Sequence, residues 1–200
     1  MKTTRSSIEK LVATALLASL VLLLQFFVVI PLGAYTITLT LVPIMLGAIL
    51  YGPMTGALLG SVFGVAVSIQ VITGMAGAMS TAMLQLAPIV TIAVCVLKGV
   101  LAGLVAGLVY RPFQNKPHNT FGVVLSAVSC PLINTGIFVA ALFLFYYDLM
   151  AQYAADNAFA GALTFVFIGI IGLNFLVEFA INVLLIPLVL RLMSILKIKA

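Results

Sequence analysis

Charged side chains are scarce in this sequence, which has only 9 Lys or Arg and 4 Asp or Glu among 200 residues, while 64% of the residues are hydrophobic. A water-soluble domain of this length needs more polar surface than these residues provide, so that class is excluded. The net charge of +5 does not indicate nucleic-acid binding, because the basic residues lie at the ends of apolar segments and form no patch. The sequence predicts an all-α integral membrane protein.

Reactive side chains are equally rare, with one histidine, two cysteines and no tryptophan. His118 lies in a polar connection, and the apolar segments contain neither a pair of aspartates nor a serine beside a buried base. The glycine-rich stretches lack the Lys-Ser/Thr ending of a phosphate-binding loop. Cys95 and Cys130 lie inside apolar segments, so no disulfide is expected. No catalytic residue, metal site or cofactor is predicted, which disfavours an enzyme.

Six apolar segments predict one membrane domain over residues 1–200 with six transmembrane helices. Their predicted bounds are 11–30, 41–51, 54–72, 88–110, 120–147 and 161–196. Because a helix needs about 20 residues to cross a bilayer core, the segment 41–51 is predicted to be short or tilted. Threonine alternates with apolar residues at 35–40, which predicts an extended, strand-like lid at the outer surface. The polar segment 147–160 is predicted to be a second outer loop.

Basic residues define the orientation of these segments. Eight of the nine fall on one side if the chain crosses six times: Lys2, Arg5, Lys10, Arg111, Lys116, Arg191, Lys197 and Lys199. Such residues are retained on the cytoplasmic side of a membrane. The sequence therefore predicts cytoplasmic termini and a multi-pass protein of the cell membrane, surrounded by the lipid bilayer.

Small residues at four-residue spacing form three rows, and such rows let helix backbones approach closely in a bilayer. Two rows consist of glycine: Gly56, Gly60 and Gly64, then Gly99, Gly103 and Gly107. They indicate helix packing, either within the chain or against a partner. The third row, in the first segment, contains Thr14, Ala15, Ala18 and Ser19. This helix-one ridge is a candidate surface for contact with another subunit.

Polar residues at membrane depth are few, and Lys98 is the only basic one. Lys98 and Glu178 each lie 13 residues before the arginine at the inner end of their segment, which is about 20 Å along a helix. Asn134 lies at a similar depth, and Asn174 lies one turn farther out than Glu178. These residues predict one polar binding pocket. The alternatives are that Lys98 reaches an interface or pairs with Glu178, while the asparagines bind helices together.

The nature of a ligand depends on Lys98. A carboxylate beside it would gain a charge-assisted hydrogen bond in a low-dielectric pocket, so an anionic ligand is expected. Asn134 and Asn174 would hold amide or hydroxyl groups, and Tyr35 and Thr38 of the lid segment would add hydroxyls. If Glu178 neutralises Lys98, the pocket suits a neutral ligand instead.

Several motifs resemble the substrate-binding S components of energy-coupling factor (ECF) vitamin transporters. They are LGAILYGP at 46–53, the stretch from Lys98 to Arg111 that contains the second glycine row, and CPLINT at 130–135. Tyr51-Gly52-Pro53 and Asn134-Thr135 are the most characteristic parts. The helix-one ridge has Thr/Ala and Ala/Ser pairs in place of two alanines.

The resemblance implies a six-helix subunit that binds a vitamin from outside, beneath the connection between the first two helices. It also implies docking, through the helix-one ridge, on a transmembrane coupling subunit driven by two ATPase subunits. Pantothenate is the first candidate vitamin, and riboflavin or another vitamin is the alternative. A self-sufficient secondary transporter and a ligand-free membrane scaffold are the other classes considered; the first is disfavoured by the few embedded ionisable groups, and the second by Lys98.

Overall fold

Helices form most of the chain in the computed structural model, which describes residues 2–32, 35–114 and 119–195. The elements, in order, are α1 (Lys2–Phe27), β1 (Val29–Leu32), β2 (Tyr35–Thr38), α2 (Leu41–Tyr51), α3 (Pro53–Ile72), α4 (Ala78–Leu86), α5 (Pro88–Tyr110), α6 (Asn119–Phe145), α7 (Tyr147–Asp156), α8 (Ala162–Thr164), α9 (Leu173–Leu184) and α10 (Ile186–Ile195). A 3₁₀ turn, Arg111–Phe113, follows α5, and a π-helix, Phe165–Gly172, joins α8 to α9. The basic residues Lys116, Lys197 and Lys199, and also His118, lie outside the described residues.

Within the described residues, five segments are long and apolar enough to cross a membrane, which identifies a multi-pass membrane protein. They are Ile8–Phe27, Pro53–Ile72, Pro88–Phe113, Thr120–Phe145 and Ala162–Arg191. The sixth predicted crossing is α2, which has only 11 residues. At 1.5 Å per residue it is about 16 Å long, well short of a hydrocarbon core of about 30 Å. The sixth crossing and the cytoplasmic termini therefore stay predictions.

The predicted lid segment forms one strand of a β-hairpin. β1 pairs with β2 in antiparallel register, with Val29 opposite Thr38 and Leu32 opposite Tyr35. β2 also contacts α9, and β1 contacts α1. The hairpin therefore lies against the helix that carries Glu178.

The two glycine rows pack against each other, which decides between the two alternatives that the sequence left open. α3 and α5 run antiparallel, with Gly56 beside Gly103 and Gly60 beside Gly99. A methyl group added at Gly60 would overlap the carbonyl oxygen of Gly99, and one added at Gly103 would overlap that of Gly56. We call this contact the glycine seam. Its backbones are so close that no side chain fits between them.

The last predicted helix differs most from its observed form. The sequence predicts one helix over 161–196, whereas the structure divides that region into α8, the π-helix, α9 and α10. The break at Leu185 precedes Pro187, which lies in the first turn of α10, where its missing N–H breaks no helical hydrogen bond. The predicted outer loop 147–160 also differs, because most of it is the helix α7.

Two apolar clusters form the interior. The first includes Ile44, Leu59, Phe63 and Ala102 and packs around α2. The second includes Met83, Tyr146, Met150 and Ile170 and packs around α4 and α7.

Candidate functional site

A cavity of about 100 Å³ lies between the two apolar clusters. Phe63 lines it from the first cluster, and Met83 and Ile170 line it from the second. Ligand pockets for small organic molecules measure about 300–1,000 Å³. A vitamin-sized molecule can therefore enter only if the walls move apart.

Three of the residues that the sequence singled out line this cavity together, each from a different helix. Lys98 comes from α5, Asn134 from α6 and Glu178 from α9. Asn134 lies three residues after Pro131, and both residues are inside α6. These three helices therefore place one cation, one amide and one carboxyl group around the same space.

The Lys98 ammonium lies near two aromatic rings. Its Nζ is 5.0 Å from the centroid of the Phe138 ring and 5.8 Å from that of Phe63. Both distances are within the range of a cation–π interaction. Among the described side chains, Lys98 forms no ion pair with Glu178. The ammonium therefore lies against aromatic rings and forms no direct ion pair with a described carboxylate.

Two hydrogen-bond acceptors in the wall receive no donor from the described residues. They are Oδ1 of Asn134 and Oε2 of Glu178, and each residue is only 7% exposed. Buried acceptors in folded proteins almost always have a partner. The nearby Asn182 bonds to the backbone of Glu178, with its Nδ2 donating to the backbone oxygen at 2.8 Å, and makes no hydrogen bond to Oε2. The cavity therefore offers two unused acceptors beside a cation.

A buried amide network, which sequence analysis missed, forms another part of the wall. Gln25 Nε2 donates to Gln70 Oε1 at 2.6 Å, and Gln70 Nε2 donates to the backbone oxygen of Gln25 at 2.8 Å. The Thr40 hydroxyl donates to Gln25 Oε1 at 2.8 Å. The network ties the end of α1 to α3 and to the residue that precedes α2. Its signal was present, since Gln25 and Gln70 are each the only amide in an apolar segment.

Thr91 also lines the cavity, and sequence analysis did not propose it as a ligand contact. The hydroxyls of Thr91 and Tyr146 are 2.7 Å apart, and Thr91 Oγ1 also donates to the backbone oxygen of Ala87 at 2.8 Å. Cys95 lines the cavity, whereas Cys130 lies in the first apolar cluster. Both thiols are free.

Three predicted ligand contacts have side chains outside the part of the chain that the structure describes. Tyr35 and Thr38 lie in β2, and Asn174 lies in α9. Their contacts with a ligand stay predictions. No group of His, Cys, Asp or Glu within the described ranges is arranged to hold a metal ion.

The helix-one ridge divides between two faces of α1. Ala15 and Ser19 are exposed, whereas Ala18 packs against the first apolar cluster. The hydroxyls of Thr14 and Ser19 donate to backbone oxygens one turn earlier in the same helix, at 2.8 and 3.0 Å. The outward part of the ridge is therefore small and has no unsatisfied hydroxyl. Its role in docking stays a prediction.

A comparison with protein families identifies the chain. Residues 9–190 match the model of the ECF transporter substrate-specific component. No curated protein matches the sequence. Members of the family are membrane subunits that bind a small-molecule substrate and work with coupling and ATPase subunits of an ECF module; they are not enzymes. Because the match extends over nearly the whole chain, the protein belongs to the family of substrate-specific components of ECF transporters.

Proposed function

We propose that this chain captures a small water-soluble vitamin, with pantothenate as the first candidate, and passes it to an ECF module in the cell membrane. The module would consist of a transmembrane coupling subunit and two ATPase subunits. The observation that carries the proposal is the Lys98 ammonium, which faces the cavity without an ion pair to a described carboxylate.

The position of Lys98 favours an anionic ligand. A carboxylate that enters the cavity would meet a cation held between Phe63 and Phe138. In a space of low dielectric, such a charge-assisted hydrogen bond is stronger than one in water. Asn134 would accept a hydrogen bond from an amide or hydroxyl of the same molecule, and Asn174 would add a second amide. Pantothenate has a carboxylate, an amide and two hydroxyls, which fit this arrangement.

Entry of the ligand would require the hairpin to move. The hairpin lies against α9 and is followed by Thr40, which is bonded to the cavity residue Gln25. We propose that the segment 35–40 closes over bound vitamin, and that Tyr35 and Thr38 contact it. The cavity is smaller than a vitamin requires, which supports a change of shape on binding.

The proposed topology has six crossings, with α2 as a short one and both termini in the cytoplasm. It is supported by the basic residues, since the predicted outer connections contain no Lys or Arg. The exposed face of α1 around Ala15 and Ser19 would dock on the coupling subunit. Small residues there would let the two backbones approach closely.

Calorimetric titration of the purified protein with pantothenate tests this function. We expect Lys98→Ala to weaken binding by about 1.5–3 kcal/mol, as for hydrogen bonds to charged groups, or roughly 10- to 150-fold in Kd. Lys98→Arg should retain part of the affinity. Lys10→Ala is the control, because it removes the same charge from an exposed position of α1.

Two outcomes would contradict the proposal. Binding of pantothenate to Lys98→Ala as tightly as to the parent protein would make Lys98 a structural residue. Accumulation of pantothenate in liposomes by the purified chain, without partner subunits or ATP, would make it a self-sufficient transporter.

A further inference from the structure

We infer that the molecule bound in this cavity carries two different polar groups: an acidic group that binds Lys98 and a hydrogen-bond-donating group that binds Asn134 and Glu178. This inference rests on the proposed function, since it places the ligand in the same cavity, and it adds a second requirement to the ligand. The donating group is an N–H or an O–H, and its best form beside Glu178 is a protonated amine or a pair of hydroxyls.

Two polar atoms in the wall lack hydrogen-bond partners. Glu178 Oε2 and Asn134 Oδ1 belong to residues that are more than nine-tenths buried, and they make no hydrogen bond with the described residues. Both residues line the cavity. An amide oxygen only accepts hydrogen bonds, and a carboxyl oxygen accepts them in either charge state. A molecule in the cavity is therefore the natural source of the missing donors.

The neighbouring side chains of the described residues do not supply these donors. Lys98 lies over the rings of Phe63 and Phe138 and makes no ion pair with Glu178. The side-chain amides of Gln25 and Gln70 donate within their own network, and neither bonds to Asn134 Oδ1 or Glu178 Oε2.

Neither an acid alone nor an amine alone matches the polar groups of the cavity. A simple hydrophobic acid would satisfy Lys98 but would bring its own negative charge near Glu178, with nothing to offset the buried acceptors. A simple amine would have the opposite fault at Lys98. A molecule with both groups, joined by an apolar body that contacts Phe63, Phe138 and Met83, binds the Lys98 cation and also supplies a donor to the buried acceptors.

The test uses three matched acids and the purified full-length protein. The first is pantothenate, which has two hydroxyls beyond its amide. The second is N-(3,3-dimethylbutanoyl)-N-methyl-β-alanine, which has the same skeleton without the hydroxyls and without the amide N–H. The third has a primary amine in place of the terminal hydroxyl of pantothenate. We expect pantothenate or the amine to bind at least tenfold more tightly than the acid without hydroxyls, and the better of the two identifies the source of the donor.

Variants then connect this preference to the named residues. In Glu178→Gln and Asn134→Leu, the preference for a donor-bearing acid should shrink at least threefold, while the acid without hydroxyls binds nearly as it does to the parent. Asp148→Asn is the control, because it neutralises an exposed acid of α7, outside the cavity. Equal binding of all three acids to the parent protein, or an unchanged preference in both variants, would overturn the inference.

Mass spectrometry of molecules extracted from the purified protein separates this inference from the proposed function. A native ligand that has both an acidic group and an N–H or O–H donor supports the inference, even if it is not pantothenate and the first candidate is wrong. A native ligand that lacks either group overturns the inference, even if the protein still delivers it to an ECF module. If nothing is extracted, the titrations decide, and failure of both donor-bearing acids to bind overturns the inference.

Discussion

The same two helices, α3 and α5, form two regions of opposite character. In the half that contains Gly56 and Gly103 their backbones are in contact, whereas in the other half Gln70 and Thr91 line the cavity. The glycine seam has no polar side chain to satisfy and no space to fill. The cavity has space, a cation and buried acceptors without described donors. One helix pair thus combines a close backbone contact with a polar cavity.

The largest expected effect comes from breaking the glycine seam. Gly60→Ala places a methyl group against the carbonyl oxygen of Gly99 and should cost about 1–3 kcal/mol of stability, typical of overpacking, with Gly60→Leu worse. Thermal unfolding in detergent measures the loss. Gly136→Ala in α6 is the control, because nothing lies within 4 Å of a methyl group added there. An unchanged melting temperature for Gly60→Leu would mean that the backbones are not in contact.

A smaller effect is expected from the amide network on the cavity side. Gln25→Leu leaves the Thr40 hydroxyl and the Gln70 amide without their partner and should cost about 1–3 kcal/mol. In the double variant Gln25→Leu/Gln70→Leu the loss should be less than the sum of the two single losses, because the two amides bond to each other. Thermal unfolding of the parent, the two single variants and the double variant measures these losses. Hydrogen exchange of the backbone amides at 35–40 should become faster in the variants. Additive losses with unchanged exchange would remove the link between this network and the hairpin.

The sequence predicted which helix faces pack closely better than it predicted which helices pack against each other. It identified both glycine rows from their spacing, but not that they face each other, because spacing along one helix contains no information about the opposite helix. The bounds of α5 agree with the predicted 88–110, since Pro88 suits a first turn and a proline follows Arg111. The sequence did not predict the π-helix, because the apolar residues 165–172 would fit an α-helix equally well.

The candidate site also contains residues that the sequence predicted and residues that it missed. Counting residues from the inner ends gave Lys98, Asn134 and Glu178 a common depth, and the structure places all three around one cavity. Whether they bind a ligand stays a prediction. Gln25 was overlooked because one amide hardly changes the hydrophobicity of its segment. In 147–160 the acids and amides suggested a loop, yet the buried residues Tyr146, Met150 and Ala154 recur every fourth position, which is a helical signal.

The smallest effect on the isolated protein is expected on the outer face of α1. Ala15 is exposed, so Ala15→Trp should leave stability and ligand binding unchanged but abolish uptake by the assembled transporter, because it blocks close approach of the coupling subunit. Ala18→Trp is the contrasting variant, since Ala18 packs against the first apolar cluster and should lose stability. Paired measurements of melting temperature, ligand affinity and ATP-dependent uptake separate the two. Normal uptake by Ala15→Trp would place the docking surface elsewhere.

The two cysteines mark the two environments of the chain. Cys95 lines the cavity one turn before Lys98, whereas Cys130 is enclosed in the first apolar cluster. A thiol reagent small enough to enter the cavity will reach Cys95 first, and an occupied cavity will shield it. The extent to which such a reagent modifies Cys95 would therefore report whether the cavity is occupied, with Cys130 of the same chain as the reference thiol.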